Sequence, residues 1–403
     1  MKNTYLKNSV YGGSLSGLKG VATREVQRIL AKPLYILMTI VLPLTSFLIF
    51  WVIFSAGVPN NLPITIYDAD DSQISRQIIR MLDSTAILKI AQKTTNLEDG
   101  KRFILKGDSN ALIVFPKNME KDILKGQAPH ITNFYNNEFL LIGSLINREV
   151  TTVIKTASKG LNLKIRQTKS EMAGAAMAHI EPVAINKHVL FNPYLNYFYY
   201  LTGTLQPAML QIFILTMTVF AFGIELKEGT AKELYEKGKG NMLVIICGKL
   251  IPYSLIYILL GLFMNIYLFR IPGFPFRGNL AMLVAATILF VFACQAIGIF
   301  IISVTANLRM ALSASGFFSA TAFAFVGVTF PVIGMPLFAK IWSCILPLTY
   351  YIKVFVDQSM KGAPISVNIP DLCYLSFFIL AGLPFSYFRM KTIFNDQSYW
   401  GRS

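Results

Sequence analysis

The sequence predicts an α-helical membrane protein with six transmembrane helices, one before and five after an inserted α/β domain. Charged residues make up 14% of the 403 residues, against about 25% in ordinary soluble domains. Mean hydropathy is +0.52. The charges are also grouped, so that long uncharged runs alternate with polar segments. Such blocks are typical of membrane spans separated by loops and domains.

The N-terminal segment, residues 1–33, is polar and basic. Its charged residues are Lys2, Lys7, Lys19, Arg24, Arg28 and Lys32, opposed only by Glu25. The positive-inside rule therefore predicts that this segment is cytoplasmic. An amphipathic helix over Leu18–Leu30 that lies along the membrane surface is one interpretation. A solvated leader is the other.

Residues 34–57 carry no charge and are long enough to cross a bilayer as the first span. A cleaved signal peptide is the alternative. We predict an uncleaved anchor, because the run is longer than the apolar core of a signal peptide and follows a long polar segment.

Residues 58–190 form the predicted α/β domain. Strand patterns occur at 64–67, 88–91, 111–115 and 130–135, and helix patterns at 75–88, 96–106, 117–125 and from 138 to about 178. Asn96 is the predicted N-cap of its helix. The alternation of strands and helices predicts a compact fold, and the distribution of Lys and Arg predicts that it lies outside the cytoplasm.

Residues 191–389 contain the five further spans. They are predicted near 201–224, 244–269, 280–304, 311–332 and 372–388. The apolar stretch Trp342–Ile352 is too short to cross and predicts a half-helix or interfacial segment on the outer side. Six crossings place both ends in the cytoplasm, with residues 390–403 as a cytoplasmic tail. The inner segments are the more basic ones, as this topology requires.

Several kinds of chemistry are excluded by the sequence. The net charge of +16 is dispersed without an RNA-binding motif, which favours membrane loops over nucleic acid as its explanation. The predicted span cores lack ionisable residues, which argues against proton-coupled carriers and intramembrane proteases. A phosphate-binding loop at Gly248-Lys249 lacks its first glycine, because Leu243 stands there. Lys249 itself is expected at the foot of its span.

Metal and disulfide chemistry are not expected either. The three histidines, His130, His179 and His188, lie in the predicted α/β domain without metal-ligand spacing. The four cysteines, Cys247, Cys294, Cys344 and Cys373, all lie in apolar stretches and are expected to be packing residues. We therefore expect no cofactor, no metal and no catalytic activity.

The charged segment 225–242 lies between the second and third spans. Thr230 and Glu233 have the spacing of a capping box, which predicts a short helix. Glu228 with Lys232, and Glu233 with Lys237, are four residues apart and are predicted ion pairs. A solvated loop with one helical turn is the alternative.

The pattern Glu225-x-x-Glu-Gly-Thr-x-x-Glu-Leu234, followed by Gly248-Lys-Leu-Ile-Pro-Tyr253, resembles the coupling region of ABC-2 type transporter permeases. Asn192-Pro193 before the second span and Leu346-Pro-Leu-Thr-Tyr350 before the last resemble the branch with a large extracytoplasmic domain between spans one and two. The resemblance implies that six residues face an ATP-binding subunit. These are Glu225, Glu228, Gly229, Thr230, Glu233 and Leu234.

The resemblance implies the permease subunit of an ATP-driven exporter, with ATP hydrolysed by separate ATP-binding cassette subunits. The expected partners are those subunits, a second permease copy (identical or related), membrane lipid and a possible periplasmic adaptor. The expected location is a bacterial inner membrane. Hydrophobic or amphipathic substrates are expected, such as drugs, lipids or lipid-linked compounds, since the spans offer apolar linings. The alternative is a receptor or scaffold whose outer domain binds a ligand or partner.

Overall fold

The computed structural model describes residues 2–125, 127–168, 190–192, 195–271 and 273–401, with side chains in these ranges except for residues 2–15 and 165–168. The chain divides into two compact units. A helical unit contains Met1–Ser55 and Phe198–Ser403, and an α/β unit contains Ala56–Tyr197.

The N-terminal part of the helical unit begins with α1, Lys2–Ala31. The helix stops there because Lys32 precedes a proline and adopts an extended backbone. Next come α2 (Pro33–Ile36), a π-helical turn (Leu37–Val41) and α3 (Leu42–Phe54). The helix interpretation of Leu18–Leu30 is thus confirmed, while its position on a membrane surface stays a prediction.

The described part of the α/β unit contains four strands and four helices in alternation. These are β1 (Leu62–Asp68), α4 (Gln73–Asp83), β2 (Leu88–Thr94), α5 (Leu97–Lys106), β3 (Ala111–Phe115), α6 (Met119–Leu124), β4 (Thr132–Tyr135) and α7 (Leu140–Thr168). The sheet order is β2-β1-β3-β4. β1 is parallel to both β2 and β3, and β4 is antiparallel to β3.

The predicted strands are all present in this unit, and the Asn96 cap is confirmed, since its Oδ1 accepts from the Glu98 N–H at 3.0 Å. The predicted helix 75–88 is wrong at its end. α4 stops at Asp83, because the chain turns before Leu88 enters β2 beside β1. The predicted helix that continues to residue 178 lies outside the described residues after Thr168.

The rest of the helical unit begins with a π-helical turn (Phe198–Thr202) and continues, in its described residues, through eight helices. These are α8 (Gly203–Glu228), α9 (Ala231–Lys237), α10 (Met242–Arg270), α11 (Leu280–Thr305), α12 (Leu308–Phe325), α13 (Leu337–Ile345), α14 (Pro347–Val356) and α15 (Ile365–Asn395). A π-helical turn, Asp357–Lys361, extends α14. Short 3-10 turns occupy Val332–Gly334 and Gln397–Tyr399.

In the described part of the chain, six helical segments are long and apolar enough to cross a membrane, in agreement with the predicted number. They are Pro33–Phe54, Phe198–Glu228, Met242–Arg270, Leu280–Thr305, Leu308–Phe325 and Ile365–Asn395. α13 and the extended α14 meet at 81° and would add a seventh if they formed one broken span. The predicted half-helix falls on this bent pair.

The predicted span ends are less accurate. The helix expected to reach Val332 stops at Phe325, because Gly327 has a positive φ of 89° and Pro331 follows. The last helix is longer than expected and continues past Arg389 to Asn395.

Small residues let the helices of this unit approach closely. A Cβ added to Gly298 of α11 would lie 2.9 Å from the Thr218 side chain of α8. One added to Gly261 of α10 would lie 2.9 Å from the Thr287 side chain of α11. Close approach at small residues is how membrane helices gain packing contacts without a hydrophobic driving force between them.

Candidate functional site

The candidate site lies where α1 packs beside α9 and the adjoining ends of α8 and α10. Five charged side chains meet there, and we call them the charge cluster: Arg24, Glu25, Arg28, Glu225 and Lys249. They come from three helices, α1, α8 and α10. The cluster therefore connects segments that are about 200 residues apart in sequence.

Lys249 is at the centre of the charge cluster. Its Nζ lies 2.6 Å from Glu25 Oε1 and 2.8 Å from Glu225 Oε1, and all three side chains are 0% exposed. The Tyr253 hydroxyl donates to Glu25 Oε2 at 3.2 Å. Lys249, which the sequence places at the foot of its span, lies in the third turn of α10, and its side chain is fully buried there. Its charge is tolerated because both carboxylates pair with it.

Glu225 is held by four side chains at the last turn of α8. Arg24 donates in bidentate fashion, with Nη1–Oε1 at 2.7 Å and Nη2–Oε2 at 3.1 Å. Arg28, Lys249 and the Thr230 hydroxyl also donate to this carboxylate. Bidentate arginine–carboxylate pairs fix geometry as well as charge.

The arginines of α1 respond to this environment. Burial alone would lower the pKa of Arg24, but its hydrogen bond and charge attraction to Glu225 outweigh this, so its pKa lies above the ordinary value. The pKa of Arg28 is raised in the same way, chiefly by Glu225 and Glu25 acting against burial. Both guanidinium groups therefore stay charged within the charge cluster.

The predicted capping box at Thr230 is wrong. Thr230 makes no side-chain cap bond to α9, because its hydroxyl donates to Glu225 instead. The predicted Glu228–Lys232 pair is replaced by contacts of Glu228 with Arg28 and Lys32, each 3.7 Å long. α1 thus provides partners that the local spacing could not reveal.

The other local predictions for this segment are confirmed. The Glu233–Lys237 pair is present at 3.3 Å. α9 ends at Lys237, before Gly238. The apolar role of Leu234 is also confirmed, since this side chain is fully buried in a cluster that includes Val21 and Ile245.

The six residues expected to face an ATP-binding subunit fall into two groups in this structure. Glu228, Gly229 and Glu233 are exposed. Glu225 and Leu234 are fully buried, and Thr230 is half-buried. Gly229 ends α8 with a positive φ of 69°, a conformation that favours glycine. Glu228, Gly229 and Glu233 thus form a surface that a partner could contact. Glu225, Thr230 and Leu234 hold that surface against the neighbouring helices.

Sequence reasoning missed the contribution of α1 to the site. Among residues 16–31 of α1, where the structure describes the side chains, the buried ones are Gly17, Val21, Glu25 and Ile29, which recur every four residues and form one face. A carboxylate in the middle of an otherwise apolar face is a signal for a buried partner. Glu25 carried that signal, since it is the only acidic residue of the N-terminal segment.

Metal chemistry finds no support in the described residues, where no group of three or more His, Cys, Asp or Glu side chains could hold an ion. His130 is exposed, and His179 and His188 lie outside the described residues. The four cysteines are all free thiols, with Cys294 buried.

Comparison with protein families identifies the chain. The family described as ABC-2 family transporter protein matches residues 33–388. The chain belongs to this family. Members are non-catalytic membrane components of ABC transport systems and normally work with ATP-binding subunits. None of the curated proteins matches the chain.

The family match includes only part of the charge cluster of this ABC-2 transporter protein. Glu225 and Lys249 lie within residues 33–388, whereas Arg24, Glu25 and Arg28 precede them. The matched region thus contains one carboxylate and one ammonium of the cluster, and α1 adds the other three charges.

Proposed function

We propose that this chain is the permease subunit of an ATP-driven exporter in a bacterial inner membrane. Two permease copies, identical or closely related, would assemble with two ATP-binding subunits. Family membership supports the transport role. The more specific proposal rests on one observation. Glu228, Gly229 and Glu233 form an exposed turn, and the buried charge cluster connects this turn to α1 and α10 through Glu225.

The proposed coupling surface is the segment from Glu225 to Lys239. Its exposed residues contact the ATP-binding subunit, and Glu225, Thr230 and Leu234 hold the segment in place. Because Glu225 is bonded to both α1 and α10, a displacement of the turn moves three helices together. Closure of the ATP-binding subunits would in this way tilt the spans and open a path for substrate.

The proposed substrates are hydrophobic or amphipathic compounds, such as drugs, lipids or lipid-linked molecules. Most polar side chains inside the helical unit are neutral, and the main apolar cluster is rich in aromatic and aliphatic residues. Such a lining suits molecules that partition into a bilayer. The α/β unit is proposed to lie outside the cytoplasm, where a periplasmic adaptor could bind it, with both chain termini inside.

A cross-linking experiment tests the proposed contact. A photoreactive amino acid replaces Lys232, an exposed residue of α9, or, as a control, Lys101, an exposed residue of α5 in the α/β unit. In the assembled complex we expect cross-links to the ATP-binding subunit from position 232 only. A working complex that gives no cross-link from position 232, or gives one from position 101, contradicts the proposal.

Charge reversal tests whether the contact transmits work. We expect Glu228→Lys together with Glu233→Lys to abolish stimulation of ATP hydrolysis and transport in the reconstituted complex. The control is Glu98→Lys, which reverses an exposed charge on the α/β unit and should leave both activities unchanged. Transport that persists in the double variant would show that the segment does not couple the subunits.

A further inference from the structure

α8 contains a buried amide group without a protein partner. Gln206 is 3% exposed, and neither its Oε1 nor its Nε2 atom has a hydrogen-bond partner. Inside a membrane-spanning helix bundle, a polar group without a hydrogen-bond partner is strongly unfavourable. A primary amide offers two donors and an acceptor, so a small hydrogen-bonding ligand can satisfy it.

Pro207, the next residue, exposes a second polar group at the same place. Proline has no N–H, so it cannot make the helical hydrogen bond to the carbonyl four residues earlier, that of Gly203. Such freed carbonyls in membrane helices are commonly satisfied by side chains or ordered water. Gly203, Gln206 and Pro207 all line one small cavity between α8, α10 and α14.

This cavity has a volume of ≈ 10 Å³, which is room for about one water molecule. Its remaining walls include Met264, Asn265 and Tyr351. Asn265 does not pair with Gln206, whose two amide atoms have no partner. The Nδ2 atom of Asn265 instead donates to Thr287 Oγ1 and to the Tyr351 hydroxyl, each at 3.2 Å. The protein itself therefore leaves the Gln206 amide at this cavity without a hydrogen-bond partner, and the Gly203 carbonyl without its helical one.

We propose that this cavity binds one ordered water molecule, which donates to the Gly203 carbonyl and hydrogen-bonds the Gln206 amide. The water replaces the helical hydrogen bond that Pro207 removes. The water site does not depend on the proposed transport function, because it follows from the packing of one chain.

Hydroxyl-radical footprinting by X-ray radiolysis tests the water site on the purified full chain in detergent. Radiolysis of a bound water oxidises the side chains next to it, even where bulk solvent does not reach. Met264 lines the cavity and is 4% exposed. Met217 is an equally buried control in α8, 2% exposed, that does not line it. We expect Met264 to be oxidised at least several-fold faster than Met217, and equal rates overturn the proposal.

Two variants sharpen the test. Gln206→Leu removes the amide, so the Met264 oxidation rate should fall to that of Met217, while an unchanged rate for Met264 would refute the role of Gln206. Leu210→Met introduces a second reporter into the cavity wall without changing its polar groups, and the new methionine should be oxidised as fast as Met264. A slow rate there, in a variant that elutes as a folded protein, contradicts a water in this cavity.

Discussion

Replacement of Lys249 by methionine tests whether the charge cluster holds the helical unit together. The change keeps an unbranched side chain but removes a cation that is fully buried between two carboxylates. Glu225 retains Arg24, Arg28 and Thr230. Glu25 loses its nearest cation and keeps the longer contacts of its Oε1 with Arg24 at 3.6 Å and Arg28 at 3.8 Å. Removing one partner of a buried ion pair lowers the free energy of unfolding by about 3–5 kcal/mol.

We expect the free energy of unfolding to fall by about 3 kcal/mol, near the lower end of this range, because both carboxylates keep other partners and only Glu25 is left with longer ion pairs. The measurement is the apparent melting temperature of the purified chain in mild detergent, followed by fluorescence-detected gel filtration. Lys32→Met is the matched control. This lysine is half-exposed and lies 3.7 Å from Glu228, and such surface pairs contribute at most about 1 kcal/mol.

The double variant Glu25→Gln with Lys249→Met separates charge from packing. It removes both members of one buried pair, so we expect it to recover most of the stability lost in Lys249→Met alone. If Lys249→Met melts at the same temperature as Lys32→Met, Lys249 is not a buried ion-pair residue. If the double variant is no more stable than the single one, the loss comes from packing and not from an unpaired carboxylate.

Three further substitutions test other contacts. Gly248→Val should displace α1, because a Cβ there would lie 2.8 Å from the Cβ of Val21. The displacement would be seen as faster trypsin cleavage within α1, and an unchanged cleavage rate would contradict close packing of α1 on α10. Gly298→Val should lower the melting temperature, since its Cβ would lie 2.9 Å from Thr218; unchanged melting would argue against close contact of α8 and α11. Asn96→Ala should destabilise the start of α5 by about 1 kcal/mol, seen as faster amide hydrogen exchange there, and equal exchange would exclude the cap.

The α/β unit could be predicted closely because its signals are local. The run Ala111–Phe115 is apolar, β-branched in part and followed by Pro116, and it is a strand with those bounds. Asn96 is a cap because a short side-chain oxygen can reach an N–H two residues ahead. The end of α4 was missed because the alternative, entry of Leu88 into a parallel strand, depends on β1, some 25 residues away.

The spans could be predicted in number but not in extent. Length and absence of charge define a crossing segment, and both are properties of one stretch of sequence. The end of α12 instead depends on the backbone at Gly327, and the bend between α13 and α14 occurs at Leu346 and Pro347. The apolar composition continues through each of these positions, so hydropathy alone does not reveal them.

The candidate site could be located from the sequence but its pairing could not. The charged segment after α8 was recognised, yet Thr230 and Glu228 were assigned partners three or four residues away. Their actual partners include α1, whose Arg24 lies 201 residues from Glu225 in sequence. The Arg24–Glu225 pair leaves no periodic pattern in the sequence, because each of these residues alone resembles an ordinary surface charge. Glu25 differs, since it interrupts the apolar face of α1.

The charge cluster also explains why an ionic contact is found here in place of an entirely apolar one. The face of α1 that contains Val21 and Ile29 would tolerate a shift along α10, because apolar packing has little directional preference. A shift by one helical turn, about 5.4 Å, would break the 2.6 Å contact between Glu25 and Lys249. The buried pair therefore fixes the register of α1 against α10, which is the best-attested use of buried charges.

This register has a consequence for the proposed coupling. Lys249 bonds both Glu25 and Glu225, so α1 cannot slide without moving the end of α8. α1 is followed directly, through Lys32, by the first candidate span. A push on the exposed turn at Gly229 would then reach that span along α1 as well as the spans of α8 and α10. We therefore expect α1, which precedes the family-matched region, to be part of the path along which the force is transmitted.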